Sequence, residues 1–252
     1  AVAGTSIGAI NGALFVQGDF DLAFEKWINA NVKEYLNSSD DNPVTLFLSA
    51  VKEKGIDTAP LKEIMKNTID EDKIRNSEID YGLVTFSLSD MKPFMVMKKD
   101  IPTGELIDYI MASSAFPLFK TPEINGKKYI DGAVYDNSPA PLLANNGCKN
   151  IIIVDISGIG VNRNYTAEGL NIESLHRIKN SYDICGVLEF NIDNHYLYSS
   201  SCCCHHGLAT YTQMTCHSHE QGLRHLLILI LSHLLTFLHN SCVYVKGKII
   251  PQ

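Results

Sequence analysis

Near the start of the chain stands Gly4-Thr5-Ser6-Ile7-Gly8, a serine held between two glycines. A serine hydroxyl is a weak nucleophile at neutral pH and attacks an acyl carbon only where a neighbouring base takes its proton. The G-x-S-x-G spacing suits a sharp strand-to-helix turn that lifts the serine to its apex. Gly4 and Gly8 then leave room where a Cβ would clash. A helix beginning at the serine aims its N–H groups and the positive end of its dipole at the hydroxyl. The backbone N–H of Ile7 is therefore a candidate donor to an oxyanion. Ile7, Ile10, Ala13, Leu14 and Phe15 can form that helix, and Gly8, Ala9, Gly12 and Ala13 keep it thin enough to pack on a sheet. The same glycines would also serve close packing with no chemistry attached, and short motifs recur by chance.

The serine needs a base. Before residue 196 the chain offers only His176 and His195 as imidazoles, and neither stands in a motif. An acidic candidate lies in Tyr129-Ile130-Asp131-Gly132-Ala133. Asp131 follows a short apolar stretch, and Gly132 lets the chain turn sharply beside the carboxylate. A carboxylate that takes a serine proton directly should be partly desolvated and held by hydrogen bonds. Asp-Gly is also a common hairpin turn pair. A third arrangement is a triad of Ser6, Asp155 and His176 or His195, in a chain order known for α/β-hydrolases.

These residues need a scaffold, and the hydrophobic pattern outlines one. Residues 20–37 follow helical spacing through Leu22, Phe24, Trp27, Ile28, Val32, Tyr35 and Leu36. A second helix is expected over 44–53. A third is expected with Pro60 in its first turn and Leu61, Ile64 and Met65 facing inward. The period then changes: 81–88 (YGLVTFSL) and 93–98 (PFMVMK) read as strands around Ser89-Asp90. Residues 104–116 are helical again. Residues 149–158 (KNIIIVDISG) read as a buried strand of a parallel sheet. The mixture predicts an α/β fold with helices on both faces of a sheet.

Composition bounds the remainder. The chain has 252 residues, 45% hydrophobic and 19% charged, with a net charge of −7. That is an ordinary globular composition. The negative charge argues against a nucleic-acid binder and against electrostatic docking on anionic membranes, though not against apolar contact with lipid. Character shifts near residue 195. Beyond it lie only three of the 21 basic residues, one of the 28 acidic residues and seven of the nine histidines. Residues 196–252 are therefore expected to form an atypical Cys/His-rich tail, not native to the fold. Its apolar run, 226–238, is short for a membrane span. Its adjacent cysteines 202–204 are poorly spaced for zinc. Only Cys148 and Cys185 lie in the body, which suits a reducing, cytoplasmic setting.

Taken together, the chain resembles the patatin-like phospholipase family. Gly4-Thr5-Ser6-Ile7-Gly8 stands as the family's G-x-S-x-G, and Asp131-Gly132-Ala133 as its D-G-A/G. The stretch MASSAFPLFKTPEINGKKYIDGAVYDNSP (111–139) resembles the family's approach to its aspartate, and the likeness continues to about residue 195. The resemblance implies a three-layer fold with a mainly parallel central sheet in a domain spanning 1–195. It implies a Ser6 nucleophile, an Asp131 base without histidine, and an acyl-enzyme, with no metal or cofactor. The substrate would be a lipid or other acyl ester, met by peripheral contact with a membrane. Family members carry a strand, a glycine-rich loop (G-G-G-x-[R/K]-G) and a helix ahead of the elbow, the loop supplying oxyanion donors. Here only Ala1–Ala3 precede Gly4, so the expectation is a domain truncated at its N-terminus, with the strand delivering Ser6 nearly absent. An inactive lipid-binding or partner-binding protein and the Ser-His-Asp esterase are the competing expectations.

Overall fold

Seven residues dominated by β-branched and aromatic side chains, Tyr81–Ser87, form the strand on which the architecture is built. The structure, a computed structural model, describes residues 1–22, 25, 55–155 and 160–179. In chain order they form β1 (Val2–Thr5), α1 (Ile7–Gln17), α2 (Ala59–Thr68), α3 (Glu71–Asn76), β2 (Tyr81–Ser87) and β3 (Lys92–Met97). There follow α4 (Leu106–Ser113), β4 (Glu123–Ile124), β5 (Lys127–Asp131), α5 (Ala140–Asn145), β6 (Asn150–Asp155) and β7 (Ser174–Lys179). Short 3₁₀ turns occupy Lys98–Asp100 and Gly132–Val134. Residues Ala1–Ile178 make one compact unit.

Both edges of β2 are occupied. Along one edge β3 runs antiparallel, pairing Gly82 with Met97 through Ser87 with Lys92. The other edge is shared by two strands. β1 runs parallel to β2 and pairs Val2–Thr5 with Tyr81–Val84. β5 runs antiparallel and pairs Asp131–Tyr129 with Thr85–Ser87. The C-terminal ends of β1 and β5 therefore meet head-on between Val84 and Thr85. β4 pairs antiparallel with β5 and completes a five-stranded sheet.

Alternation along β2 separates the layers. Tyr81 and Leu83 face one way, with Val96 and Tyr129, into a core filled by Ala9, Ile10, Ala13 and Leu14 of α1 and by Leu106 and Ile110 of α4. Val84 and Met97 face the other way, against Leu142 of α5. Helices thus cover both faces, and the fold is the three-layer α/β arrangement. α1 carries no charged residue, and Ala9, Ile10, Gly12, Ala13, Leu14 and Val16 are all buried. A helix apolar all round belongs in a core. The Tyr81 hydroxyl, fully buried, donates to Ala9 O (2.7 Å) and ties this helix to β2.

Several expectations change. Within the five-stranded sheet, among the described residues, β1 pairs parallel with β2 and the other three pairings are antiparallel, so this sheet is mixed and not mainly parallel. The short turn at Leu88–Met91 forces β3 antiparallel to β2. Of residues 149–158, the described part, 149–155, does not join this sheet. β6 pairs with β7 in a separate two-stranded sheet, and its burial alternates, with Ile151 and Ile153 inward and Val154 exposed. A strand covered on one face alternates; one covered on both does not. The strand that was to be nearly absent before Ser6 is present as β1. Pro60 does sit in the first turn of α2, where Met65 is buried and Leu61 and Ile64 are partly so. The helices expected over most of 20–37 and over 44–53, the boundary near 195 and the tail beyond it lie outside the described residues. Among the described residues no helix is long and apolar enough to cross a membrane.

Lys98 shows how the β3 end is fastened. It is 6% exposed, and its ammonium donates to three carbonyls, Ile74 O (2.8 Å), Ser77 O (2.7 Å) and Ile79 O (2.8 Å). These lie at and just beyond the C-terminus of α3, where carbonyls lack helical partners and a cation is favoured. Lys98→Met would strand three acceptors at once. It should lower the unfolding free energy by about 3 kcal/mol, the scale of charge-assisted hydrogen bonds lost from a buried group, as read by urea denaturation.

Candidate active site

The nucleophile candidate is delivered by close contact between main chains. β1 ends at Thr5, α1 begins at Ile7, and Ser6 joins them at φ 55°, ψ −126°. A positive φ in a non-glycine residue costs on the order of 1–3 kcal/mol and persists only where its surroundings enforce it. They do so through Gly4. A Cβ there would lie 2.0 Å from Gly8 O and 2.6 Å from Ala9 N, so the first turn of α1 rests directly on the Gly4 backbone. Gly12 is tight as well, its Cβ position lying 3.2 Å from Val2 and 3.3 Å from Tyr81. Gly8 differs from expectation: a Cβ there would meet open space. What the elbow needs at Gly8 is its peptide, which Gly4 touches, and not a missing side chain.

The positive φ turns the chain out of line with the strand at Ser6. The Ser6 N–H donates to Ser113 Oγ (3.0 Å), and Ser113 donates in turn to Val84 O (2.6 Å). The Ser6 carbonyl accepts from Ala9 N (2.8 Å) and Ile10 N (3.4 Å). The N–H groups of Ile7 and Gly8, in the first turn, have no intrahelical acceptor.

The base candidate arrives along the same edge of β2. Asp131 is the last residue of β5 and is 3% exposed. Its N–H donates to Ala115 O (2.9 Å), and its Oδ1 accepts from Ala133 N (2.8 Å). Its Oδ2 accepts from Ser6 Oγ at 2.5 Å. That is the length of a charge-assisted O–H···O⁻ bond. Burial pushes the Asp131 carboxyl above the ordinary aspartate range, and the hydrogen bonds from Ser6 and Ala133 oppose the shift. Gly132 permits the approach: a Cβ there would lie 2.2 Å from Val84 O and 3.0 Å from the Thr5 methyl. Asp131-Gly132 is thus a strand end leading into a 3₁₀ turn, not the hairpin turn that the dipeptide also allowed.

A second buried carboxylate braces the loop after Gly132. Asp136, fully buried, accepts from Ser138 N (3.0 Å) and from Tyr165 Oη (2.5 Å). Its own carbonyl accepts from Thr5 Oγ1 (2.8 Å), which links the loop to the residue before Ser6. Burial raises the Asp136 carboxyl, offset first by Tyr165 and more weakly by Arg163 and Arg177. Ala133 O accepts from Val161 N (2.8 Å), and the Arg163 guanidinium lies 4.4 Å from the Tyr135 ring centroid. The sequence reading did not single out Ser113, Thr5, Asp136 or Tyr165 for a role. Ser113 and Asp136 lie within the stretch used for the family resemblance, but nothing in a single sequence marks them as partners of the two motifs.

Among the described residues the alternative triad is not assembled around Ser6. Its hydroxyl engages Asp131, while Asp155 forms an ion pair with Arg177 (3.0 Å). His176 is exposed on β7, and His195 lies outside the described residues.

The model of one protein family, Patatin-like phospholipase, matches residues 1–144. The matched segment contains both glycine-flanked motifs and runs from β1 into α5. A search of curated proteins finds no match.

The three glycines of the site are not equivalent. Gly4→Ala and Gly132→Ala drive a methyl into backbone and should each cost about 3 kcal/mol, the upper range of overpacking. Gly8→Ala meets no obstacle and gains helix propensity of up to about 1 kcal/mol. Thermal unfolding of the three variants should show two clear losses and one unchanged or raised Tm.

Proposed function

Because the chain belongs to the patatin-like phospholipase family, whose activity is the hydrolysis of lipid acyl esters, we propose that it cleaves such esters through a dyad of Ser6 and Asp131. The observation that carries the proposal is the 2.5 Å hydrogen bond from Ser6 Oγ to Asp131 Oδ2 across 125 positions of sequence. Asp131 ends β5, Ser6 directly follows β1, and each is held by backbone that tolerates no side chain at Gly132 or Gly4.

The chemistry follows from that bond. Ser6 Oγ attacks the ester carbonyl carbon as its proton passes to Asp131 Oδ2. The resulting oxyanion lies at the N-terminus of α1, where the N–H groups of Ile7 and Gly8 and the helix dipole stabilise negative charge. Collapse of this intermediate expels the alcohol, which takes the proton from Asp131 and leaves an acyl-serine. A water molecule then gives its proton to Asp131 and its oxygen to the acyl carbon. A second collapse releases the carboxylic acid and returns the proton to Ser6. A carboxylate can fill the role usually held by imidazole because desolvation makes it a stronger base than aspartate in water. Its remaining oxygen is satisfied by Ala133 N–H, so its orientation does not depend on solvent.

Labelling by a fluorophosphonate and turnover of a short-chain p-nitrophenyl ester test the dyad. Ser6→Ala and Asp131→Asn should each reduce both by at least about 10³-fold, the scale for loss of a nucleophile or its base. A folded Asp131→Asn protein that labels at the wild-type rate would exclude Asp131 as the base.

The pH dependence has a defined sign. Asp131 must be ionised to accept a proton, and its pKa is raised. Activity should therefore fall, as pH is lowered, at a value above the ordinary aspartate pKa of about 3.9. Stability runs the other way. The protonated carboxyl is favoured by the fold, and that contribution is full below about 3.9 and is lost as pH rises through the raised value. Asp131→Asn keeps an acceptor for Ala133 N–H and removes the buried charge. It should be inactive yet unfold at or above the wild-type temperature at pH 7–8.

A further inference from the structure

We infer that Ser113 is a positioning residue for the dyad, setting the Ser6 backbone through its hydroxyl; the inference rests on Ser6 acting as the nucleophile. Ser113 closes α4, is fully buried and makes two hydrogen bonds. Its Oγ accepts from Ser6 N–H (3.0 Å) and donates to Val84 O (2.6 Å). A hydroxyl has one proton to give and lone pairs to receive, and both directions are used here. The two backbone groups it joins need it. The Ser6 N–H lies just beyond the last residue of β1 and is partly withdrawn from water, where a backbone donor needs an acceptor. The bond therefore fixes the peptide plane from which the turn at Ser6 aims Oγ at Asp131.

Val84 O is also where the base is located. Its oxygen lies against the Gly132 Cα, at a distance that no Cβ could share. One peptide of β2 thus fixes both members of the dyad, Asp131 through direct contact with Gly132 and Ser6 through the Ser113 hydroxyl. Loss of the bridge frees the nucleophile's backbone while the base stays in place. A misplacement on the order of 1 Å can cost about 10² in rate.

The next residue supplies a control. Ser114 is also a serine at the end of α4, and its hydroxyl is buried without a hydrogen-bond partner. The same chemical deletion can therefore be made at adjacent positions, one bridging and one not.

The test compares Ser113→Ala, Ser113→Cys, Ser113→Thr and Ser114→Ala in the full chain, with Tm measured for each. Ser113→Ala should lower fluorophosphonate labelling and ester kcat by about 10–10²-fold with KM within about twofold. Ser113→Cys conserves volume but is a weak hydrogen-bonding group, and should behave like alanine. Ser113→Thr keeps the hydroxyl and should recover most of the rate. Ser114→Ala should match wild type. Amide exchange of Ser6, followed by NMR with ¹⁵N-serine, should quicken at least about tenfold in Ser113→Ala and not in Ser114→Ala. The inference is overturned if folded Ser113→Ala or Ser113→Cys reacts at the wild-type rate, or if Ser6 exchange does not change. A folded Ser113→Thr as slow as alanine would also overturn it, since packing and not the hydroxyl would then matter. A wild-type protein that does not label, or an Asp131→Asn protein that does, refutes the dyad instead; the exchange measurement then decides by itself whether Ser113 holds the Ser6 backbone.

Discussion

Two strands share one edge of β2, and the site exists because they meet end to end. β1 occupies that edge through Val84 and β5 from Thr85 onward, in opposite directions. Each strand must leave the sheet where the other begins. The register places the residues at that junction, Ser6 and Asp131, opposite one another, within hydrogen-bond distance. A slip of one residue in either strand would turn its side chains to the other face and separate the pair. Thr85, paired with Asp131, donates its hydroxyl to Ile130 O (2.7 Å) and secures that register beside the junction.

The junction carries two unfavourable features, and the surroundings offset both. Ser6 holds a positive φ, stabilised by the α1 turn seated on Gly4 and by the bridge to Val84 O. Asp131 holds a carboxylate away from water, stabilised by one hydroxyl and one backbone N–H. Asp136 repeats the second arrangement a few residues on, with Tyr165 in place of Ser6 as the short hydroxyl partner. The repeat shows how this fold keeps buried acids: one backbone donor from two residues onward and one hydroxyl from a distant segment. In Asp136 the partner is a phenol whose pKa is raised by burial and by the acid itself.

Much of this was legible in the residues, for identifiable reasons. Ser6 and Asp131 stood out because main-chain crowding restricts Gly4 and Gly132 to glycine, and that restriction shows in a sequence. β2, β3 and α4 were legible because their hydrophobic period is clean. The mixed character of the sheet was not, because the pairing of β1 and β5 along one edge of β2 joins segments far apart in the chain, a non-local matter. β6 misled because four isoleucine and valine positions in a row read alike in a doubly covered strand and in a half-covered one. Ser113 was illegible because a bridging serine is identified by its partners, Ser6 N and Val84 O, which are remote in the chain. Gly8 was read as a steric necessity, whereas the crowding belongs to Gly4 alone.

The bridge to Val84 O also bears on when the site comes into being. Its parts come from residues 4–8, 84, 113 and 131–133, so the serine stays an ordinary hydroxyl in the growing polypeptide until the last of these has been synthesised and docked. α1 has no polar face to keep it helical by itself in water, and the turn at Ser6 has nothing to hold its strain before β2 arrives. Assembly of the Ser6–Asp131 pair is therefore coupled to closure of the whole sheet, since its parts meet only once β1, β2 and β5 are paired.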